Sequence, residues 1–221
     1  MTLVQKEVKK VRKGTTLVRP VQQQQEFYYH LVNDWGSVAQ LEADWWTFYR
    51  ESWSATSWRE FGANGMRNTN SWSGTRVAWI VLSNPLNISS ATKITLECNT
   101  YIVSGSWNGA SNAALVSSNE RNPARAWWRF NSSNNSGANG YSLYMWSSGV
   151  DNLTSLSTWN YTVTAVFDLS NKTALMTVTW MSNLTWTLSD SDVTNIRTAP
   201  YIQILFDNTW VYYKDIKLTV E

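Results

Sequence analysis

The sequence STWNYTVTAVFD at residues 157–168, joined by LSNK to TALMTVTW at residues 173–180, decides the fold. Apolar side chains occupy the odd positions from Tyr161 to Phe167 in the first run and the even positions from Ala174 to Trp180 in the second. Such alternation is typical of strands with one buried face, and Asp168 is well placed to cap a hairpin turn. The pattern predicts an antiparallel hairpin whose core positions include Trp180.

Alternation continues on both sides of this hairpin. It is found in four further runs: residues 94–99, 126–130, 141–146 and 210–220. In the last run, Tyr212, Ile216, Leu218 and Val220 are expected to share one face. Turn-rich segments separate the runs, and residues 131–140 predict a ten-residue polar loop. Because the sequence shows no fixed repeat, we expect an all-β antiparallel sandwich or barrel.

The composition excludes several classes of protein. Charged residues make up 15% and the formal net charge is +2, which does not indicate nucleic-acid binding. A single cysteine, Cys98, and a single histidine, His30, rule out a disulfide framework and Cys- or His-cluster metal sites. No apolar run reaches the length of a membrane span. Abundant Asn, Ser, Thr and aromatic residues without a signal peptide favour a virion protein made in the host cytoplasm.

Residues 1–25 differ from the rest and predict an extended docking arm. A basic cluster precedes Thr15, Thr16, Leu17 and Val18, whose composition suits strand addition to a sheet edge of another virion protein. We therefore expect these four residues to anchor the chain. The alternative is a flexible tail.

Residues 26–56 predict a helical segment. Ser37 and Gln40 have capping-box spacing, and the residues that follow at spacings of three and four are Val38, Leu41, Trp45 and Phe48. One interpretation is an amphipathic helix packed on the sandwich. The other is a short oligomerisation helix that gathers a homo-oligomer, for which we expect a trimer.

The order of elements in the last hundred residues resembles a known family. The sequence GYSLYMW at residues 140–146 precedes the Trp-led strand that ends at Asp168, and the return strand is followed by YIQILF at residues 201–206 and WVYYKDIKLTV at residues 210–220. This order is similar to the concanavalin A-like lectin/glucanase jelly roll, over residues 57–221. The resemblance implies two packed antiparallel sheets, one of which holds sugar in lectin and glycosidase members. It also implies a structural, turn-capping role for Asp168. The family contains purely structural modules as well.

The strand positions opposite the core predict a binding surface. These positions combine aromatic rings with charged and amide groups, in Trp127, Arg129, Tyr144, Trp146, Glu97 and Asn99. A flat ring suits the apolar face of a sugar, and planar polar groups suit its hydroxyls. The same mixture suits a protein interface, and the plainest alternative is an ordinary half-exposed sandwich surface.

No catalytic residue is expected. The glycosidases of this fold carry Glu-x-Asp-x-x-Glu along one strand, and this string is missing here, while Asp190 and Asp192 fall in what reads as a polar loop. His30 is expected at the surface or in packing. No metal or cofactor is expected, although Asp151-Asn152 and Asp207-Asn208 carry oxygens of the kind that bind calcium.

Together these features predict a non-enzymatic virion structural or adhesion protein, such as a phage fibre, capsid decoration or tail-associated protein. Its arm would bind other virion proteins, and its jelly roll would contact a host surface glycan or a neighbouring subunit. One alternative is a free lectin or carbohydrate-binding module. Another is a glycoside hydrolase of the same fold.

Overall fold

The computed structural model describes residues 25–31, 42, 46–50, 59–68, 77–82, 88–102, 109–116, 125–133, 138–145, 148–152, 159–199, 201–207 and 211–221. The strands, in chain order, are β1 (Gln25–His30), β2 (Trp46–Arg50), β3 (Arg59–Gly62), β4 (Gly65–Asn68), β5 (Val77–Leu82), β6 (Lys93–Ile102), β7 (Gly109–Val116), β8 (Arg125–Ser133), β9 (Ala138–Met145), β10 (Ser148–Asn152), β11 (Trp159–Asp168), β12 (Thr173–Val178), β13 (Leu184–Thr187), β14 (Tyr201–Asp207) and β15 (Val211–Val220). Helix α1 spans Asp190–Arg197.

The strands form two antiparallel sheets, which confirms the all-β jelly-roll prediction. Sheet I has the order β13-β12-β11-β6-β15-β4-β3, and β1 also pairs with β15. Sheet II has the order β10-β9-β8-β7-β14-β5-β2. The first and last described strands, β1 and β15, therefore pair with each other in sheet I.

The core lies between the two sheets. Along β6, buried and half-buried side chains alternate without a break, and Leu96 and Cys98 pack in the same cluster as Leu143 of β9. Cys98 is fully buried, and desolvation raises the pKa of its thiol well above the usual value. This alternation fixes which face of each strand points away from the core, here called the outer face.

The β11–β12 hairpin has the predicted register. Strand β11 pairs with β12 on one side and along its full length with β6 on the other. Asp168 closes the turn, because its carboxylate accepts hydrogen bonds from the backbone and the side-chain amide of Asn171, both at 2.8 Å. These bonds from Asn171 lower the pKa of Asp168. The expected core position of Trp180 is wrong, since this residue lies in a turn beyond β12 and is 87% exposed.

Two parts of the predicted helical segment form strands in the structure. Glu42 is helical, but Gln25–His30 form β1, paired with β15, and Trp46–Arg50 form β2, paired with β5. Phe48 therefore lies opposite Ile80 in sheet II and not on a helical seam. Aromatic and β-branched residues favour strands, and pairing with a sheet edge outweighs a two-heptad pattern. The sandwich also begins before the expected boundary at residue 57, while Val38, Leu41 and Trp45 lie outside the described residues.

Strand β15 changes phase in the middle. Its register against β6 shifts between Tyr213 and Asp215, as in a β-bulge. Val211 and Tyr213 are buried before the shift, and Ile216, Leu218 and Val220 are buried after it. The expectation that Tyr212 shares a face with the later three is therefore wrong, because simple alternation does not continue through a bulge.

Two expected loops are more ordered than the sequence suggested. Asp190 and Asp192 lie in the first turn of α1, where Ser189 and Asp192 form a reciprocal capping box. Residues 131–133 and 138–140 belong to β8 and β9, so the predicted ten-residue loop is a shorter connection. In both places, local hydrogen bonding makes use of polar residues that composition alone assigns to loops.

The β3–β4 turn provides a test of the fold. Gly65 has φ +104°, and a Cβ added there would lie 2.1 Å from the carbonyl oxygen of Tyr213. We predict that Gly65→Ala lowers the free energy of unfolding by about 2 kcal/mol or more, measured by urea denaturation. Ala63→Gly, at an exposed position of the same turn, is the control and should cost less than about 1 kcal/mol. Equal effects of the two variants would contradict the close approach of β4 to β15.

Candidate functional site

Polar side chains cross the outer face of sheet I in one continuous row. The register aligns Thr162 of β11 with Asn99 of β6, Asn99 with Asp215 of β15, and Asp215 with His30 of β1. The hydroxyl of Thr162 donates to Oδ1 of Asn99 at 2.7 Å, and Nδ2 of Asn99 donates to Oδ2 of Asp215 at 3.0 Å. The orientation of the Asn99 amide is thus fixed from both sides.

Asp215 is the centre of this row. Its Oδ1 accepts hydrogen bonds from Nδ1 of His30 at 2.5 Å and from the hydroxyl of Tyr28 at 2.7 Å. Because an ionised carboxylate only accepts, Nδ1 of His30 must carry the proton. Partial burial raises the pKa of Asp215, but the bonds from His30, Asn99 and Tyr28 outweigh it, and the pKa lies below its usual value. Burial and the bond to Asp215 raise the pKa of Tyr28 to about 12.

The bulge in β15 places a lysine next to this carboxylate. Lys214 and Asp215 are consecutive and both half-buried, whereas strict alternation would turn one of them into the core. Nζ of Lys214 donates to Oδ1 of Asn160 at 2.7 Å and lies 6.0 Å from the centre of the Tyr101 ring. A cation and an anion are therefore held side by side on the outer face.

A pocket of about 310 Å³ opens above this row and is called here the sheet I pocket. Its residues come from strands β6, β11 and β15 and from the turn that follows β12: Asn99, Thr100, Trp159, Asn160, Tyr161, Thr162, Thr179, Trp180, Lys214 and Asp215. The volume is at the lower end of the range for small-molecule sites.

Two exposed tryptophans line the sheet I pocket. Trp159 is 57% exposed and Trp180 is 87% exposed. An indole that stays in water lacks roughly 4 kcal/mol of the stabilisation that full burial would provide. Trp180 also has φ +65°, in a turn where the N–H of Met181 donates to the carbonyl of Val178 at 2.9 Å. Glycine suits that position better than any other residue, so Trp180 stabilises neither the core nor the turn.

The sequence-predicted binding residues do not form one site. Glu97 and Asn99 lie on the outer face of sheet I, while Tyr144 lies on sheet II next to Leu143 and Met145, which face the core. Trp127 is in register with Tyr144, and Arg129 with Ser142. The prediction joined residues from strands of two different sheets, because the phase of a strand relative to the core does not show to which sheet it belongs. Trp146 lies outside the described residues.

Among the described residues of that predicted set, Asn99 is the one that lines the sheet I pocket. Glu97 accepts a 3.4 Å bond from Thr164 one row away, and Tyr144 donates to both carboxylate oxygens of Asp151, at 3.1 and 2.9 Å. The anchoring residues Thr15, Thr16, Leu17 and Val18 lie outside the described residues.

The two Asp-Asn pairs that carry calcium-type oxygens begin in different strands of sheet II, at Asp151 in β10 and Asp207 in β14. No group of three or more His, Cys, Asp or Glu side chains comes together among the described residues, and Asp151 is already bonded to Tyr144. Asp207 ends β14, and Asn208 lies outside the described residues.

Sequence reasoning missed most of the pocket. The bulge concealed that Lys214 and Asp215 share a face, and the helical interpretation concealed that His30 and Tyr28 lie beside Asp215. One signal was present: the YYKD stretch at 212–215 contains two consecutive charged residues in a strand, which is where a bulge is needed.

Solved structures match this fold. The chain is similar to peanut lectin crystallised with a nine-residue peptide, with a TM-score of 0.59 and 12% identity, over 90% of this chain and 98% of the lectin. It has the jelly-roll fold of the lectins. Winged bean acidic lectin, in complex with methyl-α-D-galactose, matches at a TM-score of 0.60 and 10% identity, over 90% of this chain and 99% of the lectin.

A third match is the exoplasmic/lumenal domain of VIP36 in its Ca²⁺- and Man₃GlcNAc-bound form. The TM-score is 0.55 at 9% identity, over 86% of this chain and 88% of that domain. No protein-family profile and no curated protein matches the sequence. At these identities the likeness concerns the fold. In the described part of the chain, no helix has the length and hydrophobicity that a membrane crossing requires.

The hydrogen-bonded row centred on Asp215 predicts a contribution to the free energy of unfolding that depends on pH. In Asp215→Asn an amide group must face either Asn99 or the His30–Tyr28 pair, so we expect a loss of about 1–2 kcal/mol in the free energy of unfolding at pH 5.5. Since the folded pKa of Asp215 is lowered, its contribution is complete above the unfolded value of about 3.9 and is lost as pH falls through the folded value.

The measurement is chemical denaturation of the wild type and Asp215→Asn between pH 5.5 and pH 2.5. The difference between the two proteins should shrink towards the acidic end. A difference that is independent of pH would contradict an ionised Asp215 bonded to three donors.

Proposed function

We propose that this protein binds carbohydrate without cleaving it, and that the sugar occupies the sheet I pocket. The observation that carries this proposal is the exposure of Trp159 and Trp180 beside a polar floor. The indole of Trp180, which stabilises neither the core nor the turn, needs another reason to be kept, and contact with a ligand supplies one. The lectin neighbours support the same class of function.

The residues of the pocket suit a sugar ring chemically. An indole can cover the apolar C–H face of the ring, while fixed polar groups meet the hydroxyls at its edge. Asn99 and Asp215 are held in place by the row described above, and Lys214 is held by Asn160. Because these groups are ordered before a ligand arrives, binding costs less conformational entropy.

The same geometry favours binding over hydrolysis. Glycoside hydrolysis uses two carboxyl groups on either side of the scissile bond, one of them a general acid with a raised pKa. Asp215 is the one carboxylate among the described residues that line the pocket, and its pKa is lowered. It is suited to accepting hydrogen bonds and not to donating a proton.

The proposal extends to the setting of the protein. We propose that it is displayed on a phage virion, as a fibre, capsid decoration or tail-associated protein, and that several copies act together on a host surface glycan. A composition poor in charge and rich in Asn, Ser, Thr and Trp supports this proposal. One shallow pocket binds a sugar weakly, and multivalent display raises the overall avidity.

The first prediction of this proposal separates binding from stability. Trp180→Gly removes an exposed indole and relieves a left-handed backbone conformation, so the free energy of unfolding should stay the same or rise by up to about 1 kcal/mol. Glycan binding should fall at least tenfold, on a glycan array and then by calorimetry with the best array ligand. Trp159→Ala should weaken the binding of the same ligand.

A matched control exists at the other end of the same strand. Lys172 also has a left-handed backbone (φ +54°) and lies outside the pocket, so Lys172→Gly should leave glycan binding unchanged. Loss of binding in Trp127→Ala with no loss in Trp180→Gly would move the sugar site to sheet II. No binding to any glycan of the array would overturn the proposed function.

The second prediction concerns assembly. If the chain forms the expected trimer, light scattering on the purified protein should give three times the monomer mass. Leu41→Asp, which puts a charge on the proposed oligomerisation seam, should shift the mass towards the monomer. A monomer at micromolar concentration in the wild type would contradict the trimer and leave the sugar proposal standing.

A further inference from the structure

We infer that the sheet I pocket selects a sugar that carries an anionic group, a carboxylate or a sulfate, and that Lys214 binds this group. The inference rests on the proposed function and deepens it. It assigns specificity to the one residue that the β15 bulge adds to the pocket.

Lys214 has binding capacity to spare. An ammonium group has three N–H donors, and one of them is used by Oδ1 of Asn160. Among the described residues, Lys214 forms no ion pair with a carboxylate. Two N–H donors and one positive charge therefore remain for a ligand in the pocket. The bond to Asn160 and the nearby Tyr101 ring hold the long side chain over the pocket, so little conformational entropy is lost on binding.

The oxygens of the neighbouring carboxylate are already engaged. Oδ1 of Asp215 accepts from His30 and Tyr28 and Oδ2 accepts from Asn99, and the side chain is only 16% exposed. The next carboxylate on this face, Glu97, lies in the row of Thr164 and Lys217, outside the pocket. Asp215 keeps its negative charge, but Lys214 is the charged group of the pocket that still has N–H donors for an anionic ligand.

The positive character continues along the face. Tyr212 is in register with Tyr101, the two ring centres are 5.8 Å apart, and the guanidinium of Arg67 lies 4.9 Å from the centre of the Tyr212 ring. Rings flanked by cations extend from Lys214 to Arg67.

The test compares glycans that differ in one charge. The probes are sialyllactose against lactose, trigalacturonic acid against its methyl ester, and a sulfated heparin disaccharide against its desulfated form. We expect the acidic member of at least one pair to bind at least tenfold more tightly than its neutral partner at low salt. This preference should weaken as sodium chloride is raised from 0.05 to 0.5 M, because added ions screen the exposed charge.

Variants of β15 identify the cation. Lys214→Met should lose the preference for the acidic member, and Lys214→Arg should keep it within a few-fold. Lys217→Met is the matched control: it removes a lysine from the same strand and the same face, outside the pocket, and should keep the preference.

The outcomes distinguish the two proposals. Neutral members that bind as tightly as acidic ones, with loss in Trp180→Gly, would overturn the anionic inference and keep the sugar pocket. A preference that survives in Lys214→Met would assign the charge recognition elsewhere and overturn the role of Lys214. No binding to any probe, acidic or neutral, would overturn both proposals.

Discussion

The one-residue slip of β15 against β6, between Tyr213 and Asp215, is the constraint on which the site depends. The side chains of a strand repeat every two residues, so a single extra residue exchanges the two faces. Here the exchange keeps Tyr213 and Ile216 in the core on either side of the slip. The residues in between, Lys214 and Asp215, are both left on the outer face. One backbone irregularity therefore serves packing and creates a charged pair in the same place.

Strand β1 supplies hydrogen-bond donors to Asp215, which the slip places on the outer face. A carboxylate on a half-covered sheet face needs donors, and the row across sheet I supplies one from β6 and two from β1. Asp215 thereby links a strand far away in the sequence to the centre of the sheet. The same bonds fix the floor of the sheet I pocket, so the N-terminal strand belongs to the architecture of the pocket although its side chains do not line it.

The sequence predicted the strand cores that follow from regular alternation and missed the features that follow from a break in that alternation. The cores of β6, β9, β11 and β12 follow from alternation, and the Asp168 turn follows from local hydrogen bonding. Trp180 was assigned to the core because it continues the phase of β12, yet the strand ends at Val178 and the chain turns. The helical spacing that runs from Val38 to Phe48 ends in residues that form β2, because pairing with β5 lies outside any local pattern. The predicted binding set draws on both sheets for a different reason: the phase of a strand separates the inner from the outer face but does not show to which sheet the strand belongs.

The burial of Cys98 has a practical consequence for kinetics. It is the chain's single cysteine, lies on the central strand of sheet I, and its thiol is both shielded and held protonated. A thiol reagent can reach it only when the core between the two sheets opens. The rate of alkylation of the unmodified protein therefore reports how often this core opens, with no added label and no engineered reporter.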